Sequence, residues 1–243
     1  MNQMTFQRIC AWTGIVCPLV FFAGLVVAGM FPPMLPSQTT AEVVAHYRDH
    51  ANGVRAGAAM VMLSSMFYAS FTAVISGQIQ RIPGVHPTVV FTQLAGGAFA
   101  CVTFLLPGLL FVVTAFRPER SPELTVLMND LSWIFLVMPF PPVMVQGLAF
   151  AYAIFSDNRN RPLFPRWLGY VNIWVLIMFF PAVLLPFFRS GPFSWGGIFV
   201  FWVPATVFGI QFFLNVVMVL KAIGRPESED AQHLQPHGGV LAA

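Results

Sequence analysis

Glu42, His46 and His50 recur every four residues, which sets one carboxylate and two imidazoles on a single helix face. Such donors could hold a divalent metal, with a fourth ligand drawn from another connection, such as Glu119 or Glu123. The same residues also make an ordinary solvated stripe, and His46 with His50 could respond to protons. A second set of polar side chains, Tyr68, Gln93, Gln146, Asn172 and Gln211, sits in stretches that are otherwise apolar. Together they could line a pocket for a small, largely apolar molecule. Separately, each could bridge two helices for roughly 0.6–2 kcal/mol. Ser64, Ser65 and Asn215 have the same capacity. Asp130 borders an apolar run and calls for an ion-pair partner, for which Arg55 and Arg117 are the candidates.

Other chemistry finds no support. The chain has no GxSxG elbow, HExxH pair, Walker loop or dinucleotide glycine turn. No catalytic residue is nominated, and the balance leans away from an enzyme. No cofactor is expected. Haem is disfavoured because none of the five histidines, at 46, 50, 86, 233 and 237, lies deep in an apolar run. Cys10, Cys17 and Cys101 lack metal-site spacing and read as small buried thiols. A net charge of +3 without a basic run gives no reason to expect nucleic acid as a partner.

The elements that must position these residues follow from where charge is absent. Of the 243 residues, 57% are hydrophobic and only 9% are charged, against roughly 25% charged in a soluble domain. Mean hydropathy is +0.75. So few charges cannot wet the surface of a globule this size, so the solvent has to be lipid. Charge-poor runs predict six helical spans at about 10–31, 56–78, 88–115, 132–155, 168–188 and 197–220. The expected fold is an all-α, polytopic transmembrane bundle over residues 1–223. Strands are excluded because the runs do not alternate polar with apolar residues. The uncharged run that follows Arg8 is too long for the core of a cleaved signal peptide.

Within that frame, Pro32, Pro33 and Pro36 should end the first span. Thr39 and Glu42 form a capping box for a short interfacial helix over about 40–51, stopped by Asn52-Gly53. Val43, Val44 and Tyr47 give that helix an apolar face. Pro139, Pro141, Pro142, Pro181, Pro186 and Pro204 should kink or break spans four, five and six. Ser121-Pro122-Glu123 reads as a helix start ahead of span four, with Ser121 as N-cap. Ser65, Ala69, Ala73 and Gly77 form a row of small residues that should let span two pack closely at the centre, and Gly96, Gly97 and Ala100 do the same in span three.

Lysine and arginine counts orient the bundle. With the N-terminus inside, Arg8, Arg81, Arg159, Arg161, Arg166, Lys221 and Arg225 fall on the cytoplasmic side. Arg48, Arg55, Arg117, Arg120 and Arg189 fall on the other, so both termini are expected in the cytoplasm. The tail over 224–243 is polar and expected to be disordered. No internal repeat is visible.

The segment Phe164-Pro165-Arg166-Trp167-Leu168-Gly169-Tyr170, with the stretch from Ala41 to His50, resembles uncharacterised multi-spanning membrane proteins of actinobacteria. The resemblance implies a helical protein of a bacterial inner membrane and supplies no catalytic residue. Arg166, Trp167 and Tyr170 suit the headgroup layer and read as interface anchors. Three functions stay open: binding or transport of a small apolar molecule in a proline-kinked inward pocket, an accessory subunit of a membrane complex, and a metal-dependent membrane enzyme. Expected partners are membrane lipids, and a membrane protein or a second copy of the chain.

Overall fold

The computed structural model describes residues 2–226, so the expected disordered tail lies outside the described residues from 227 onward. Among the described residues every regular element is helical. Six helical segments are long and apolar enough to cross a bilayer: Gln3–Val27, Ala51–Ile79, Pro87–Phe116, Pro122–Ser156, Arg166–Phe187 and Ile198–Gly224. Phe6, Trp12, Phe91, Phe99, Trp174 and Phe213 remain exposed on them, a surface that hydrocarbon solvates and water does not. The chain is a six-span helical membrane protein.

The first span, α1 (Gln3–Val27), starts seven residues before the expected boundary, with the Asn2 side chain accepting from the Met4 amide at 3.3 Å. It also stops earlier than Pro32 would enforce. Gly29 takes φ +66°, a conformation that costs glycine least. Around it the Met30 amide reaches the Leu25 carbonyl at 2.8 Å and the Gly29 amide reaches Val26 at 3.0 Å. That is the Schellman ending of a helix; the prolines only direct the chain afterwards.

The short helix α2 (Thr40–Asp49) has the expected capping box, with the Thr39 amide and hydroxyl both donating to Glu42. Val43, Val44 and Tyr47 are buried against the helix ends. Asn52-Gly53 does not stop the helix. The chain turns at His50 (φ −110°, ψ 20°), and Asn52 and Gly53 fall in the first turn of α3 (Ala51–Ile79). Gly53 serves closeness there, since a Cβ would lie 2.8 Å from the Val27 carbonyl oxygen.

α3 is the central helix, packed on α1, α4 (Pro87–Ala100), α5 (Val102–Phe116) and α9 (Val203–Gly224). Its expected close-packing row is on the wrong face: Ala69, Ala73 and Gly77 are exposed, and nothing lies within 4 Å of a Cβ built at Gly77. The close approach is made by Gly57 instead. A Cβ there would meet the Gly24 carbonyl oxygen and lie 2.7 Å from the Ala28 nitrogen. Small residues can face lipid as readily as a neighbouring helix, so a row of them does not mark an interface by itself.

Spans three and four are each two helices in line. α6 (Pro122–Val137) and α7 (Pro141–Ser156) are separated by Met138–Phe140, because Pro139, Pro141 and Pro142 supply no backbone donors. The Pro139 carbonyl is met by the Thr103 hydroxyl at 3.2 Å, as hydrocarbon requires. In the fifth span α8 (Arg166–Phe179) tightens into a 3₁₀ segment, Phe180–Phe187, that contains Pro181 and Pro186. The sixth opens with a π segment, Ile198–Trp202, just before Pro204.

Candidate ligand-binding site

Polar side chains inside the bundle must satisfy one another, because hydrocarbon offers no partner. α3 carries Tyr68, Thr72 and Ser76 at four-residue spacing, all buried. Gly96 and Gly97 let α4 approach closely. A Cβ at Gly96 would lie 2.7 Å from the Gln146 nitrogen, and one at Gly97 would overlap the Thr72 hydroxyl. The Tyr68 hydroxyl donates to Gln146 Oε1 at 2.5 Å, and Gln146 Nε2 donates to Thr72 Oγ1 at 2.6 Å. Gln93 Nε2 donates to the same Thr72 oxygen at 3.3 Å, and the Ser76 hydroxyl donates to Gln93 Oε1.

A second group joins α8 to α9. Asn172 Oδ1 accepts from Gln211 Nε2 at 2.7 Å and from Asn215 Nδ2 at 3.3 Å. Asn172 Nδ2 donates to the Leu168 carbonyl at 2.8 Å and to Asn215 Oδ1 at 3.2 Å. These bonds fix the amide orientations: turning Gln211 over would press its oxygen against that of Asn172. The Gln211 Oε1 atom is then left buried without a donor.

Both groups face one cavity of about 30 Å³, and all five residues of the sequence-derived set, Tyr68, Gln93, Gln146, Asn172 and Gln211, line it. The space takes a water or a hydroxyl group, for which ~10–15 Å³ suffices. Sequence reasoning missed Thr72 and Ser76. Their signal was their spacing from Tyr68, since three hydrogen-bonding residues on one face of an apolar helix have to point inward.

Beyond this cavity lies an apolar chamber of about 100 Å³, walled by Cys17, Phe21, Phe104, Leu136, Phe140 and Phe201 among others. Val143, Phe208 and Phe212 belong to the walls of both spaces. The chamber sits where the fourth span is broken, and the polar cavity lies nearer the end of the bundle that holds the N-terminus. Among the described residues no charged side chain lines either space.

The metal constellation does not assemble. Glu42 is turned back to its own N-cap: the Thr39 amide and hydroxyl hold its carboxyl below the usual range. His46 Nε2 lies 3.0 Å from the Ala28 carbonyl, and its ring stacks on His50 with centroids 5.0 Å apart. Among the described residues no three His, Cys, Asp or Glu side chains are grouped to hold a metal. Burial depresses the His46 pKa below its ordinary value, helped by His50, while the Ala28 carbonyl and Asp49 oppose the shift.

Asp130 does not pair with Arg55 or Arg117. Arg55 is spent on the carbonyls of Ala115 and Phe116 and on the Asn52 side chain, because it sits beside the end of α5. Asp130 instead takes a hydrogen bond from Asn129 and feels the charge of Arg189. Asn129 Oδ1 also accepts from the buried Tyr47 hydroxyl at 3.0 Å, which docks α2 on α6. A buried ion pair that the sequence reading did not single out lies in the connection after α7, where Arg159 meets Asp157 at 2.7 Å. Arg166, Trp167 and Tyr170 open α8 with their side chains exposed, and Tyr170 rests on Phe155 with ring centroids 4.9 Å apart.

Compared with protein-family models, with curated proteins and with solved structures, the chain matches none.

Proposed function

We propose that this membrane bundle binds or moves a small, largely apolar molecule whose chain occupies the chamber and whose polar end reaches the Tyr68–Gln211 cavity. The observation that carries the reading is the shared wall of Val143, Phe208 and Phe212, which sets an apolar space directly beside a polar one inside the bundle. An apolar pocket with a few convergent polar groups is the usual form of a small-molecule site. The chamber is smaller than the ~150 Å³ cavity that accepts benzene, so a narrow chain fits it better than a ring.

A photoreactive octan-1-ol, its diazirine midway along the chain and the protein in nanodiscs, tests the reading. Labelling at Phe104 or Phe208, reduced at least fivefold in Ala205→Phe, supports it; Ala205 belongs to the chamber wall. Labelling confined to lipid-facing residues such as Phe91 and Phe213 overturns it.

The same reading takes the protein as resident in a bacterial cytoplasmic membrane with both termini inside, on the weight of Arg159, Arg161 and Arg166 in one short connection. Cysteines introduced at Glu119 and at Arg161 should react with impermeant maleimide from opposite sides of intact cells and inverted vesicles.

A second reading, an accessory subunit, is favoured by two adjoining apolar grooves on the α4–α7 flank, which share Val145. A partner chain retained in mild detergent and lost on Val145→Lys supports that reading. A partner-free monomer counts against it.

A further inference from the structure

The chemistry of the occupant's polar end is written in the hydrogen-bond inventory of the cavity. Tyr68, Gln93, Gln146, Thr72 and Ser76 donate to and accept from one another. The acceptor of Asn172 is used twice, by Gln211 and by Asn215. Among the described residues, the one atom of the cavity lining with no hydrogen-bond partner at all is Gln211 Oε1, an acceptor on a side chain 5% exposed. A buried acceptor left empty costs the protein, and a group that fills it must bring a proton. The walls also carry no charge, so a carboxylate, phosphate or ammonium would be desolvated there with nothing to offset the loss.

Resting on the binding reading above, we infer that the site selects a neutral, linear molecule ending in one hydrogen-bond donor, a long-chain alcohol in chemical class, whose hydroxyl donates to Gln211 Oε1. The size of the two spaces agrees with this division. About 30 Å³ beside Gln211 admits a hydroxyl and little else, and about 100 Å³ of apolar chamber admits a segment of chain. An ether of the same length offers an oxygen where the site already has one, and the two lone pairs repel.

Competition against the photoreactive octan-1-ol separates this inference from the reading beneath it. Octan-1-ol should compete about tenfold better than its methyl ether, the scale of one buried hydrogen bond, and better than octanoate or octylamine. In Gln211→Leu, alcohol and ether should compete equally while the chamber is still labelled. The alcohol–ether comparison in the unaltered protein needs no variant, so a misfolded Gln211→Leu does not spoil the test. Equal competition by alcohol and ether with chamber labelling intact overturns the donor rule, leaves binding standing and gives the small cavity to water. Absence of chamber labelling sinks the binding reading itself.

Discussion

The Tyr68 hydroxyl lies 2.5 Å from Gln146 Oε1, a bond that ties the middle of the second span to the C-terminal half of the fourth across 78 residues of sequence. Both residues are buried, and Gln146 passes the connection on to Thr72. Removing the donor strands the Gln146 oxygen. Tyr68→Phe should lower stability in detergent by about 1 kcal/mol, within the range measured for inter-helix bonds in membranes. A maleimide dye reporting exposure of the buried thiols Cys10 and Cys17 on heating reads the loss. An unchanged melting curve would show that the bond contributes nothing net.

Gly57 and Gly77 make a matched pair on one helix. Gly57→Val should destabilise the α1–α3 crossing by about 2 kcal/mol or more, because the added carbons collide with backbone of Gly24 and Ala28 and backbone cannot step aside. Gly77→Ala meets open space and should be neutral or slightly stabilising through helix propensity. The same thiol assay ranks them. A reversed order would mean that α3 presents its other face to α1.

His46 makes the short helix between the first and second spans sensitive to acid. Its folded pKa lies below the ordinary 6.5, first because of burial. The unfolded chain therefore binds a proton more readily than the folded one. The contribution of His46 is complete above pH 6.5, declines as pH falls toward the depressed folded value, and is gone below it. Amide exchange in Thr40–Asp49 should accelerate as the pH is lowered from about 7.5 to about 5 in the native chain and stay flat in His46→Gln.

Asp157 organises the connection between the fourth and fifth spans. Burial opposes its charge, but Arg159 and the amides of Leu163 and Arg159 outweigh burial and hold its carboxyl below the usual value. Its stabilisation is present above the ordinary carboxyl range and is lost as pH drops through that lowered value. Asp157→Ala removes the acceptor shared by the Arg159 side chain and the Leu163 amide, which sits 2.8 Å from the carboxylate, and should cost about 2 kcal/mol. Trypsin cleavage after Arg159 should become several times faster. A resistant loop would place the anchoring elsewhere.

What the sequence made legible, and what it hid, have separate physical causes. Spans were readable because ionised side chains are confined to the membrane boundary, so gaps in charge outline the helices. The irregularities in spans four to six were readable because their prolines lack the backbone donor, although the single Pro18 and Pro107 are carried inside unbroken helices. Tyr68, Gln93, Gln146, Asn172 and Gln211 could be picked out as a set because a polar atom in hydrocarbon has few places to go. Which face of α3 turned inward was misjudged by one residue. Ser64, Tyr68, Thr72 and Ser76 are buried, while the neighbouring row through Ala69, Ala73 and Gly77 meets lipid. Polarity decides burial in this solvent more firmly than size does. The Glu42–His46–His50 spacing was real but carried no information about what each side chain would meet outside its own helix. There Thr39 and Ala28 took the groups that a metal would have needed.

The gap at 138–140 has a mechanical meaning. A continuous rod delivers a push from one membrane leaflet to the other, whereas a rod severed at its midpoint bends and absorbs it. On one side of the gap α6 is fastened through Asn129 to Tyr47 of α2; on the other α7 is fastened through Gln146 to Tyr68. Each half of this span is therefore held by its own anchor, with the Thr103 hydroxyl on the Pro139 carbonyl as a third tie at the hinge between them.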